Sequence, residues 1–507
     1  MIDSIVKFSG QSTRRWTTPQ LLKGGLVATW GVSLIFLSTA LAGVQAQRNA
    51  IKTVGLDAAP SIMNAQRIQD SLADMDANVA DELLAKPGQN QEAVDDYNKR
   101  REKLATLLVA VAENITYDNQ ERIPIQTIQA KLGDYIQLIQ QARDFHARGD
   151  EAAMRQAYRA AIEIMDNTLL PAADQLVEVN NTQLNSTYQQ QRQLSLGYFI
   201  LVTITGWFLL GTLVGLQFFL NYRMRRILNP GLLAASTIAL FLSGYTLQCL
   251  NEASSELKVA KEDAFDSLYV LRKARSLAYR ANADKSRYLL DPQIAEQHEQ
   301  AFQQKVDQIA KVPAGTTLTA IANIADIAYP DWHRNPEVAG FQGFLADELA
   351  NIIFGEPERA AATKTLHTFA TYIAIDQQIR GLERRGQHES AIALCLGNNP
   401  NQSNWAFDQY RAAHQEVVNV NMAAFQKAIQ NSFQQVGVDA AFKTLVQPGA
   451  RDAVTKAANE DIHILDTKHR VEAGALTRFE VVAVGAIGAI ALLTLLGLLP
   501  RLKEYSN

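Results

Sequence analysis

The stretch LVATWGVSLIFLSTALAGVQAQ, residues 26–47, follows a basic, polar N-terminus and ends in small residues. A positive flank, an apolar run and an A-x-A-like end describe a cleaved secretory signal, but the same run, if retained, is a membrane anchor. Its length favours the anchor: about 20 apolar residues exceed the usual 7–15 of a signal core and suffice to cross roughly 30 Å of hydrocarbon as a helix. The question then becomes what the anchor holds.

Three more stretches have the same character. They are LGYFILVTITGWFLLGTLVGLQFFL (196–220), PGLLAASTIALFLSGYTLQCL (230–250) and VVAVGAIGAIALLTLLGLL (481–499). Four such runs in a chain otherwise rich in charge predict an all-α membrane protein with four transmembrane helices, at 24–44, 196–220, 230–250 and 479–499. Lys7, Arg14, Arg15 and Lys23 precede the first, Arg223, Arg225 and Arg226 separate the second from the third, and Arg501 and Lys503 follow the fourth. The positive-inside rule puts these flanks in the cytoplasm: an arm at 1–23, a loop at 221–229 and a tail at 500–507. Segments 45–195 and 251–478 are then extracytoplasmic, and a plasma (bacterial inner) membrane location with both termini inside follows. Arg14, Arg15, Arg223, Arg225 and Arg226 are the candidates for contact with a cytoplasmic partner or with lipid headgroups.

Composition narrows the function. The chain has 507 residues, 47% of them hydrophobic, and a net charge of -4, so it should fold and shows no basic face for nucleic acid. Two cysteines, Cys249 and Cys395, form no disulfide framework and no Cys-based zinc site. No phosphate loop, HExxH or nucleophile elbow occurs, and the eight histidines are scattered. His146, His298 and His388 sit among charges, as solvated residues do, and the spacing of His463 and His469 suits no single helix face. A non-enzymatic protein without cofactor or metal is expected.

An internal repeat adds organisation. Shifted by 206 positions, residues 26–84 align with 232–290 without a gap, matching Asp57 with Asp263, Ala58 with Ala264, Ser61 with Ser267, Ala77 with Ala283 and Leu83–Leu84 with Leu289–Leu290. TLVGL at 212–216 is echoed by TLLGL at 494–498. The chain reads as two copies of one unit: a span out, a helical domain, a span back. The matched run of the second copy is internal, which supports retention of the first.

Within 45–195, apolar residues from Ile51 to Leu83 recur at helical spacing in one stripe continuous with the first span, interrupted at Pro60. KPGQN (86–90) and ARGD (147–150) turn the chain, and Pro171 interrupts the last helix before the second span. Four amphipathic helices with short connections predict an up-down-up-down bundle whose outer helices enter the membrane. Segment 251–478 opens with a similar helix ended by DPQ (291–293), continues through an irregular insertion, breaks at LGNNPNQSN (396–404) and closes with a helix from about residue 452.

RKARSLAYRANADKSRYLLD (272–291) carries the candidate ligand-binding residues. Arg275, Arg280 and Arg287 make this helix basic where its counterpart bears Asp70, Asp74, Asp76, Asp81 and Glu82. Guanidinium groups on bundle helices suit bidentate capture of a carboxylate, and equally suit pairing with acidic neighbours. Small residues in the last span, Gly485, Gly488, Ala489 and Gly497, permit close helix contact, within the chain or in a homodimer.

The first segment resembles the four-helix-bundle sensor modules of chemoreceptors and sensor kinases in architecture. In the second, SLAYRANADKSRYLLDP (276–292), GFLADELANIIF (343–354), GEPERAA (355–361) and YIAIDQQIRGLERRGQHESAIALCLG (372–397) resemble the GlnX-like membrane proteins of actinobacteria. That resemblance implies a relay between an extracytoplasmic amino-acid-binding protein and a cytoplasmic serine/threonine kinase. A sensor is thus expected, and a structural or assembly subunit of a larger membrane complex is the alternative.

Overall fold

The computed structural model describes residues 17–113, 115, 119–224, 228–327, 331–438 and 477–504. The protein is all-α: among the described residues, extended pairing is limited to one isolated bridge between Lys311 and Gln342. Four helical rods are long and apolar enough to cross a membrane. The first joins α1 (Thr18–Lys52) to α2 (Ala59–Leu84) in 67 residues, roughly 100 Å at 1.5 Å per residue. The second joins α5 (Glu151–Ile164) to α6 (Leu170–Met224), and the third joins α7 (Pro230–Lys258) to α8 (Asp266–Leu290). The fourth is α15 (Arg478–Lys503).

Each of the first three rods contains one widened, π-helical turn: Thr53–Ala58, Met165–Leu169 and Val259–Phe265. Pro60 and Pro171 each stand at the second position after such a turn, where a missing N–H is tolerated. The breaks expected at these prolines are therefore absorbed without interrupting the rods. Asp266 follows the third turn, so proline is not required for it. The first and third turns begin 206 positions apart, at residues 53 and 259.

The apolar parts of the rods form a four-helix set in which α1 packs on α6 and α15, and α7 packs on α6 and α15. The Thr39 and Thr205 hydroxyls meet at 3.1 Å between α1 and α6. At Gly231 a Cβ would stand 2.7 Å from the Leu493 carbonyl oxygen, so α7 and α15 approach at a glycine; Asn229 donates to Gly497 O at 2.8 Å beside it. Gly497 thus packs inside the chain, whereas Gly485 and Gly488 face open space. Trp207, Phe218, Phe241 and Leu492 cover the outer surface, as lipid-facing residues would.

Beyond the spans, α2 returns through the Lys86–Asn90 turn into α3 (Gln91–Glu113), and α4 (Asn119–Ala147) precedes α5. Asp150 caps α5 by accepting from Ala153 N at 3.0 Å. The second segment adds α9 (Ala295–Ala310), α10 (Leu318–Ile327), α11 (Phe344–Ala350), α12 (Glu356–Arg384), α13 (His388–Leu396) and α14 (Ser403–Gln435). Phe369, Tyr372, Phe407 and Tyr410 pack between α12 and α14, with ring centroids 5.0 Å apart for Phe369–Tyr410 and 5.2 Å for Tyr372–Phe407. The closing helix expected from about residue 452 and the pair His463 and His469 lie outside the described residues.

The two inter-span segments pack against each other. Helices α2 and α8 run side by side, from Gln66, which donates to Tyr269 O at 3.0 Å, up to Ser286, which donates to Asp81. With α3 and α6 on its other sides, α2 is buried almost all round, including Asp70, Asp74, Asp76 and Asp81. Such a helix needs partners for those aspartates: α8 supplies Arg275 to Asp70 and Arg287 to Asp76, α3 supplies Arg100 to Asp74, and Ser286 and Asn404 donate to Asp81. The segments form one polar body, so both lie on the same side of any membrane the four rods cross.

Candidate functional site

The acidic helix α2 and the basic helix α8 meet as a ladder of ion pairs. Arg275 Nε donates to Asp70 Oδ2 at 3.0 Å and its Nη1 to Gln415 Oε1 at 2.9 Å. Arg280 Nη1 donates to Asp174 Oδ2 at 3.0 Å, reaching α6. Arg287, buried, pairs with Asp76 and donates to Asp166 Oδ2 and Asp284 Oδ1, each at 3.1 Å. Burial opposes the Arg287 charge, but the carboxylates of Asp76, Asp166 and Asp284 outweigh it and hold the guanidinium protonated above its ordinary range. Burial pushes Asp76 up to about 6, against the pull of Arg287.

Every arginine singled out for ligand capture therefore has an internal carboxylate partner. Arg275 and Arg287 are structural members of the seam. A ligand taking either would leave an aspartate uncompensated in the interior, a loss of about 3–5 kcal/mol. Arg280 differs, because its partner Asp174 is 44% exposed and both line an open cleft.

That cleft, about 540 Å³, lies between the two segments. One wall is α8, where Tyr269, Lys273, Ser276 and Arg280 form a stripe at helical spacing over roughly 16 Å. Facing it, α6 presents Asp174 and, one turn on, Glu178; α9 supplies Lys305, and Gln69 of α2 lies at the back. Tyr269 donates its hydroxyl to Glu178 Oε2 at 3.2 Å, and Lys305 donates to Asp284 at 2.5 Å. Lys273 is exposed and lies over the Phe344 ring at 5.8 Å. Three polar atoms in the wall lack a hydrogen-bond partner: Ser276 Oγ, Gln69 Oε1 and Arg280 Nε. Spacing along α8 could have revealed its stripe, but nothing local marks Gln69 or Asp174 as neighbours of it.

Among the other residues named from sequence, Arg223 is exposed in the last turn of α6; Arg14, Arg15, Arg225 and Arg226 lie outside the described residues. His298 is not solvated: it is buried, 3.9 Å from Asp284, and burial lowers its proton affinity. It packs beside the Arg287 cluster, which its sequence neighbours do not disclose. His146 bonds to Ala85 O at 2.9 Å and His388 to Glu383 Oε2 at 2.8 Å. Cys249 and Cys395 are both buried and unbridged. Among the described residues no group of His, Cys, Asp and Glu could hold a metal ion.

Residues 50–189 match a family model described as an actinobacterial sensor domain. The match runs from the end of α1 through α2–α5 and into α6, up to the start of the second span, and includes Gln69, Asp174 and Glu178. No curated protein and no solved structure matches the chain. The segment that matches the sensor-domain model thus supplies one side of the cleft, and α8 and α9 supply the other.

Proposed function

We propose that this chain is a non-enzymatic, four-span sensor or relay of the bacterial plasma membrane. Its polar body, outside the cytoplasm, responds to a small ligand or to a ligand-loaded amino-acid-binding protein. The response reaches a cytoplasmic partner, a serine/threonine kinase in the leading version, through the N-terminal arm, the loop near residue 225 and the C-terminal tail. One observation carries the reading: α1–α2, α5–α6 and α7–α8 pass from the body into the spans as continuous rods. A displacement of one rod along its neighbour has no loop in which to dissipate, because packed helices shift between discrete arrangements. The match to a sensor domain over residues 50–189 supports the same reading.

We also read the two segments as copies of one unit. The widened turns beginning at residues 53 and 259 keep the repeat of the apolar runs, and Asp70 pairs with Arg275, close to its own repeat-mate. Such a chain contains its own pair of sensor halves, so a homodimer is not needed to juxtapose them.

Deleting residues 2–20 should abolish recruitment of the cytoplasmic partner while leaving the body folded. The measurement is co-purification from membranes in mild detergent. A stoichiometric complex indifferent to both the deletion and added ligand would instead favour the assembly-subunit reading.

A further inference from the structure

The cleft between α6, α8 and α9 carries more information than its position. Its internal ion pairs remove some of its charges from consideration: Arg280 is committed to Asp174 and Lys305 to Asp284. Two charges remain without an oppositely charged partner among the described residues. Glu178, on the α6 wall, accepts only from Tyr269 and Thr182 hydroxyls, at 3.2 and 3.4 Å. Lys273, on the α8 wall, has only the Phe344 ring. A carboxylate and an ammonium thus line the same cleft from opposite segments.

The wall supplies polar groups to match. Ser276 and Gln69 are 1% and 6% exposed, and the Ser276 hydroxyl and the Gln69 carbonyl oxygen are unpartnered, as is Arg280 Nε. Leaving such groups unpaired costs about 1–3 kcal/mol each, so the wall behind the two charges is polar and under-satisfied. The volume of about 540 Å³ falls within the range of small-molecule sites, roughly 300–1,000 Å³. A purely anionic ligand would face the uncompensated Glu178, and a purely cationic one the uncompensated Lys273.

We propose that this cleft is a direct binding site for a small dipolar solute, its anionic group facing Lys273 and its cationic group facing Glu178. Because the two charged ends contact different segments, an occupied cleft would draw α6 and α8 together, and both run into spans. The proposal rests on the sensor reading for its consequence, but not for its binding.

The test uses the full chain in detergent, with calorimetry and thermal melting against the proteinogenic α-amino acids, glycine betaine, succinate and putrescine. Saturable binding of at least one zwitterion is expected, with succinate and putrescine inactive. Lys273→Ala and Glu178→Gln, both at solvent-reached positions, should each weaken it about tenfold or more without lowering the melting temperature of the unliganded protein. Binding by no zwitterion, or binding untouched by both substitutions, overturns the site. Crosslinking between cysteines placed in α6 and α7 within the membrane separates the two ideas. Binding that leaves the crosslink rate unchanged keeps the site and sinks the sensor reading. A rate that responds only to a partner protein, without solute binding, keeps the sensor reading and sinks the site.

Discussion

Glu348 shows how a single buried side chain links this body to pH. It lies on α11 in the interior, where burial, and next the neighbouring Glu358 carboxylate, pushes its carboxyl up to about 8. Asn421 pulls the other way through a weak bond at 3.5 Å. Glu358 itself accepts from Ile353 N and Phe354 N, both at 2.7 Å, so its charge has local support that Glu348 lacks. The folded protein therefore keeps a proton on Glu348 that the unfolded chain releases near pH 4.5. Folding stability should fall as pH rises from about 4.5 to about 8 and then level off at this group. Glu348→Gln should flatten that slope and gain about 1–3 kcal/mol at pH 8, read as melting temperature against pH. A variant that keeps the wild-type slope would remove Glu348 as its source.

At the scale of elements, the rods owe their continuity to the widened turns, and these were the part of the fold least legible in the sequence. Apolar run length disclosed the spans, and Gly, Pro and Asn clusters disclosed the turns at 86–90, 147–150 and 396–404, because each rests on a local rule. A π-helical turn has no comparable pattern: Pro60 and Pro171 suggested breaks, while Val259–Phe265 contains no proline. The pairing of α2 with α8 escaped for a different reason. Opposite charge on the two helices was visible, but whether Arg275 and Arg287 face a ligand or Asp70 and Asp76 depends on contacts some 200 residues apart in sequence. Gly55, inside the first widened turn, tests how tightly that turn is held. A Cβ there would stand 2.7 Å from Ile429 Cδ1 and 2.9 Å from Ile429 Cγ2 of α14, and Ile429 is fully buried. Gly55→Val should cost about 1–3 kcal/mol by overpacking, and Ile429→Ala in the same chain should recover part of it. Strictly additive losses in melting temperature would show that the turn does not seat on α14.

For the whole molecule, the seam makes the two halves interdependent. Between them lie the Asp70–Arg275, Asp76–Arg287 and Asp174–Arg280 pairs, each joining one side of the 225–229 connection to the other. The connection itself is short, and each half retains its own pair of spans, so the contacts that hold the body together are largely side-chain contacts across α2 and α8. Chains 1–226 and 227–507, expressed together, should therefore assemble without a covalent link and co-purify in mild detergent. Arg275→Asp in the second fragment places two carboxylates face to face in the interior, with Gln415 as the remaining partner of the lost guanidinium, and should reduce recovery of the first fragment tenfold or more. Asp70→Arg in the first fragment restores opposite charge at the same place and should return much of the assembly, which a general loss of folding would not permit. Assembly that is indifferent to both substitutions would mean that the spans alone hold the halves together, and that the seam sets the alignment of the rods without contributing to their association.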